Sequence, residues 1–234
     1  MESLPGYVSS VFILTTFAAI AFLLQAAKHS GLHSLASRIL LFTLPLWVFF
    51  QAILAIGGFY QITDAMPPRL MVFGVLPAIT LIVLYLAAFR RSFVERLPVR
   101  LLTLLHVVRV PVELVLYWLF LGGAVPKAMT FAGWNFDILS GLIAPIVYFT
   151  AFRGKADRRW LAIAFNLFGL VLLGNIVAIA IMSLPTPMQQ IAFDQPNRAV
   201  LYFPYVWLPT IVVPIVLFAH LTSLVQLLTS KNDK

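Results

Sequence analysis

A histidine, an arginine and a glutamate recur at helical spacing inside an otherwise apolar run, His106-Val107-Val108-Arg109-Val110-Pro111-Val112-Glu113. At about 100° per residue the three fall within roughly 60° of one another, so a helix carries them as one polar stripe. An arginine fork suits an anion or hydrogen-bond acceptor. A buried glutamate serves as counter-ion or proton carrier, and histidine and glutamate together can act as acid and base. Arg109 and Glu113 stand four apart and are placed to pair within the helix, although arginine ahead of glutamate is the poorer orientation. Pro111 lies between them and bends the same stretch.

The elements that position this stripe are membrane spans. Of 234 residues, 62% are hydrophobic and 10% are charged, against about 25% charged in an ordinary soluble domain. Apolar stretches near 8–27, 39–61, 70–89, 101–121, 137–152, 160–182 and 200–227 approach the ~20 residues that a helix needs to cross hydrocarbon. The expected fold is all-α, one polytopic seven-helix domain over 1–234. Basic residues occupy alternate gaps: Lys28 and Arg38, then Arg90, Arg91, Arg96 and Arg100, then Arg153, Lys155, Arg158 and Arg159, with Lys231 and Lys234 in the tail. The opposite gaps hold only Arg69, Lys127 and Arg198. Basic loops stay cytoplasmic, which places the amino terminus outside, the carboxyl terminus inside, and the chain in a bacterial-type cytoplasmic (inner) membrane. The net charge of +8 then reflects topology and anionic headgroups of the bilayer, and a nucleic-acid role is rejected. Met1–Tyr7 carries only Glu2, unlike the positive start of a cleavable signal, so the first stretch reads as a retained helix. Tyr7, Tyr60, Trp134, Trp160, Tyr202 and Trp207 suit interfacial anchors.

Pro45, Pro77, Pro111, Pro145, Pro204, Pro209 and Pro214 lie inside the spans. Each removes a backbone donor, and the freed carbonyl needs a protein partner because lipid offers none. Pro67-Pro68-Arg69 ahead of the third span echoes Pro196-Asn197-Arg198 ahead of the seventh. That layout resembles the three-plus-one-plus-three parallel repeat of the sugar-transporting SWEET family. It departs from it in lacking internal proline in spans one and six. Seven spans with an external amino terminus also look like the microbial rhodopsins. Residues 199–230 hold no lysine, which excludes the retinal Schiff base that this resemblance implies.

Height matching at about 1.5 Å per residue sorts the remaining polar groups into layers. Gln51, Glu113 and Asn175 share an upper layer, and His106, Arg109, Asn166 and His220 a lower one. A second concentration of polar residues marks the external mouth: Asn135, Asp137, Arg69 and Arg198, with Asp137 placed to cap the helix it opens. The last external loop, opening Pro185-Thr186-Pro187, reads as an ordered cover. No cysteine is present, so thiolate metal sites and disulfides are excluded. No metal is expected: His29 and His33 are four apart but flank Gly31 and lack a nearby carboxylate. No cofactor is expected either, the one option being haem held by His106 and His220.

These residues support binding or transport of a small molecule through a polar interior centred on the fourth span, with Arg109, Glu113, His106, Gln51, Asn175 and His220 as lining residues. The alternatives are an intramembrane enzyme on a lipid or isoprenoid, with His106 and Glu113 as acid and base, and a haem-binding or partner-dependent structural membrane protein. Signalling would need a partner protein.

Overall fold

The computed structural model describes residues 4–31, 34–152 and 158–229. Arg153, Lys155, His33, Lys231 and Lys234, on which part of the charge and metal reasoning rests, lie outside them. The described residues are helical and contain no strand. The helices are α1 (Gly6–His29), α2 (Leu35–Ile56), α3 (Leu76–Ala88), α4 (Val99–Leu105), α5 (Arg109–Leu121), α6 (Ile138–Phe152), α7 (Arg159–Met182) and α8 (Val213–Thr229). A tight turn, His106–Val108, joins α4 and α5 into one rod, so eight segments make seven rods. Six rods are long and apolar enough to cross a membrane, and α6 is a shorter apolar helix.

Helix α8 is the hub, with α7, α4 and α3 packed on it, while α6 sits against α4, α5 and α7. At the basic end, the loop after α3 tucks Phe93 and Val94 into the core, and Gln226 of α8 donates to the Val94 and Leu97 carbonyls, both at 2.7 Å. At the other end, the segment after α7 is tied to the end of α5 and the loop that follows it: Gln195 donates to the carbonyls of Phe120 at 2.9 Å and Val125 at 2.6 Å.

Two prolines shape the bundle in the same way. Helix α3 is preceded by a wide π turn, Met71–Val75, and α8 by another, Leu208–Val212. Each helix then carries proline at its second position, Pro77 and Pro214. Without an N–H, these prolines leave the carbonyls of Phe73 and Thr210 without their usual donors. Helix α2 supplies both: Gln51 Nε2 donates to the Phe73 carbonyl and Trp47 Nε1 to that of Thr210, each at 2.9 Å. These donors stand one turn apart on α2. The two π turns pack together, and only glycine fits at 74, since a Cβ there would stand 2.7 Å from the Thr210 methyl. These two helix starts match one another in a different register from the sequence echo. Pro77 corresponds to Pro214, whereas Pro196-Asn197-Arg198 leads only into a short turn, Ala199–Leu201.

Gln51 is therefore committed to the kink, and its Oε1 accepts from the Tyr60 hydroxyl at 2.6 Å. Gln51→Leu is expected to lower stability by about 1–3 kcal/mol, because the Phe73 carbonyl is left unpaired in an apolar surrounding. Unfolding in detergent reads this directly, and an unchanged midpoint would show that the carbonyl has another donor. Tyr60 and Trp207 are buried within the bundle, while Tyr7, Trp134 and Trp160 are exposed. The Trp207 indole turns inward to donate to the Val48 carbonyl at 3.1 Å.

Candidate functional site

The stripe from the α4–α5 rod points into the bundle, and His106, Arg109 and Glu113 are all buried. The pairing differs from helical spacing. Arg109 reaches across to Asp137, just ahead of α6, with Nε 2.6 Å from Oδ2 and Nη2 bonded to Oδ1. This fork-on-fork geometry takes both carboxylate oxygens. Arg109 also donates through Nη2 to the Gly169 carbonyl at 3.2 Å and through Nη1 to His220 Nε2 at 3.0 Å. An anion arriving from outside the chain would find this fork already occupied.

The donors fix the histidine. Guanidinium only donates, so His220 Nε2 accepts and the ring is neutral with its proton on Nδ1. That proton points to Asn166 Oδ1 at 2.8 Å, and Asn166 Nδ2 in turn donates to the Ala162 carbonyl at 2.7 Å. His106 lies flat on His220, with ring centres 3.8 Å apart and planes 18° apart, and neither of its nitrogens has a partner. A two-histidine haem site needs ring nitrogens opposed across an iron. Here the rings stack and both His220 nitrogens are engaged, so this arrangement does not offer that geometry.

Glu113 bonds elsewhere. Asn135 Nδ2 donates to Glu113 Oε1 at 2.6 Å and to the Met129 carbonyl at 3.0 Å, while Asn135 Oδ1 accepts from the Asp137 N–H at 3.0 Å. Asn135 and Asp137 thus belong to the interior network, not the mouth, and Asp137 gives its carboxylate to Arg109 rather than to a helix cap. A continuous chain results: Asn166, His220, Arg109, Asp137, Asn135, Glu113. Its last oxygen, Glu113 Oε2, is buried and without a partner.

Glu113 borders a cavity of about 110 Å³. Leu116 of α5, Leu173 and Ile176 of α7, and Met71 and Leu208 of the two π turns form much of its wall. Glu113, Asp137 and Asn197 are its polar members, and Asn197 Oδ1 is likewise buried and unpartnered. A second apolar cavity of about 100 Å³ lies between α1, α2, α3 and α8. Its polar members Thr43, Trp47, Tyr85 and Thr210 are all hydrogen-bonded.

The family match covers all of this network, from Arg109 to His220. Residues 66–228 match the family described as Domain of unknown function (DUF8737). The chain belongs to that family. No curated protein and no solved structure matches it.

Within the matched region the lower layer of polar residues comes together, with His106, Arg109, Asn166 and His220 linked by hydrogen bonds and stacking. The upper layer does not. Gln51 serves the α3 kink, and Asn175 sits on the exposed face of α7 and donates to the Trp134 carbonyl at 2.8 Å. At the mouth, Arg69 lies over the Phe59 ring at 4.7 Å, and Arg198 is exposed. Asn197 and Gly169 were not among the sequence candidates. Asn197 reads as one more loop amide, and a glycine inside an apolar run reads as packing.

Proposed function

We propose that this chain is a seven-span membrane protein that binds a small molecule in the bundle interior for transport, with Glu113 as the group that meets it. The alternation of basic loops supports an external amino terminus, a cytoplasmic carboxyl terminus and a bacterial-type inner membrane. One observation carries the site: a buried carboxyl oxygen without a partner, on a residue that borders an apolar cavity. An unpaired carboxylate inside a membrane is expensive, and such groups mark substrate or proton pathways. Arg109, Asp137, His220 and Asn166 act as the rigid frame that holds α5, α6, α7 and α8 around it. The enzyme reading gains less, because His106 does not border the cavity that Glu113 faces.

A small apolar carbodiimide tests this. N,N′-Diisopropylcarbodiimide takes the proton of a neutral carboxyl on nitrogen and the carboxyl oxygen on its central carbon, and the acyl group then migrates to nitrogen without a leaving group. We expect one adduct at Glu113, absent from Glu113→Gln, with the folded state retained in that variant. Labelling that persists at the same level in Glu113→Gln would remove Glu113 from the role.

A further inference from the structure

Resting on that reading, we infer that the cavity takes a small organic ammonium ion, an apolar body with a single cationic head, in exchange for the proton of Glu113. Charge and hydrogen-bonding capacity lead to this class. Around Glu113 stand Arg109 on its own helix, Asp137 ahead of α6, His220 on α8 beyond Arg109, and His106 stacked on His220. Arg109 and Asp137 neutralise each other, and His220 accepts from the guanidinium and is neutral. An ionised Glu113 therefore has no counter-ion in the network. Only a proton or a cation from outside the chain can balance it.

The free hydrogen-bonding atoms have the same sense. Once Glu113 has given up its proton, its Oε2 and Asn197 Oδ1 are both acceptors, on two residues that line this cavity. A ligand with donors satisfies them, and an anion does not. A bare metal cation would find one carboxylate oxygen and one amide oxygen, far short of the six to eight oxygens that a hard divalent ion takes. Apart from Asp137, whose carboxylate is taken by Arg109, the rest of the wall is apolar, which matches a hydrocarbon body. Its volume of about 110 Å³ is somewhat below the ~150 Å³ that holds a benzene ring, so the body is about five or six carbons, longer only where it extends through the open side. The exchange balances: an alkylammonium enters, one proton leaves Glu113, and an ammonium–carboxylate pair replaces the neutral acid.

The test is isothermal titration of the full chain in detergent with n-pentylammonium chloride, 1-pentanol and sodium hexanoate, which share a five-carbon body of the size the cavity takes. We expect binding of the ammonium alone, with one proton released per ligand, read by repeating the titration in two buffers of different ionisation enthalpy. Affinity should rise about tenfold per pH unit while Glu113 holds its proton. Glu113→Gln should weaken binding on the order of a hundredfold, as for a buried charge deprived of its partner, and Asn197→Leu by less. If Glu113→Gln fails to fold, protection of Glu113 from carbodiimide by n-pentylammonium in the unaltered protein decides the matter. Equal binding of 1-pentanol, or ammonium binding unchanged by Glu113→Gln, overturns the inference and leaves an interior ligand site. No binding of any probe while carbodiimide still labels Glu113 overturns the ammonium class but keeps a reachable proton site. No binding and no labelling removes both readings.

Discussion

Asp137→Ala is expected to destabilise the folded protein by about 3–5 kcal/mol, the cost of leaving a buried guanidinium without its carboxylate. Arg109 donates to both Asp137 oxygens, and its other donors reach only a carbonyl and a neutral imidazole. Neither can balance its charge. Arg109→Met should be comparably damaging, because it strands Asp137 in the same apolar surrounding. The double variant Arg109→Met/Asp137→Leu removes both charges and should regain much of the loss, as replacement of a buried ion pair by apolar groups of similar volume often does. Reversible unfolding in mixed micelles, arranged as a double-mutant cycle, gives the coupling between the two positions. Losses that simply add would show that the pair is not formed.

The same experiment separates two pairings. If Arg109 leaned on Glu113, as four-residue spacing expects, Glu113→Gln would be as damaging as Asp137→Ala. Here Glu113 accepts from Asn135, and glutamine retains an oxygen for that bond. The change should therefore cost little stability while removing the acid proposed to meet the ligand. A large loss in Glu113→Gln beside a small one in Asp137→Ala would reverse the assignment.

That contrast marks what could be read from the chain before folding. The apolar runs located most of the helices to within a few residues, because hydrophobic length is a local property. The seventh run, read from 200, has its helical rod only from Leu208, since Pro204 and the turns around it interrupt an apolar stretch without lowering its hydropathy. The inward stripe was likewise visible, since periodicity reports which residues share a face. Asp137 was invisible as the partner of Arg109. The two are 28 apart in sequence, and only the packing of α6 against the α4–α5 rod brings them together. Height arithmetic assembled His106, Arg109, Asn166 and His220 but failed for Gln51, Glu113 and Asn175. Height fixes depth and not azimuth, and Asn175 faces outward. The prolines did announce that carbonyls would need donors. That Trp47 and Gln51 on one face of α2 supply them depends on how α2 lies against the two π turns, which no local pattern encodes.

Gly169→Ala offers the sharpest sign test of the packed network. In an ordinary helix, exchanging glycine for alanine stabilises by roughly 0.5–1 kcal/mol, because glycine loses more backbone freedom on folding. At 169 a Cβ would run into the His220 ring and lie 3.1 Å from Ser140 Oγ. The ring has nowhere to go, being held by Arg109 at 3.0 Å, by Asn166 at 2.8 Å, and by the flat contact with His106. The Gly169 carbonyl also accepts from Arg109, so a shift of α7 pulls on the ion pair as well. We expect a net loss of about 1–3 kcal/mol, the range for overpacking a filled core. Gly174, on the same helix, is the internal control: it is exposed and a Cβ there meets nothing within 4 Å. Gly174→Ala should be neutral or stabilising under the same unfolding conditions. Opposite signs at the two positions would locate the effect at His220 rather than in the helix. If Gly169→Ala stabilises as Gly174→Ala does, the histidine is free to move, and the frame proposed to hold Glu113 in place is not rigid.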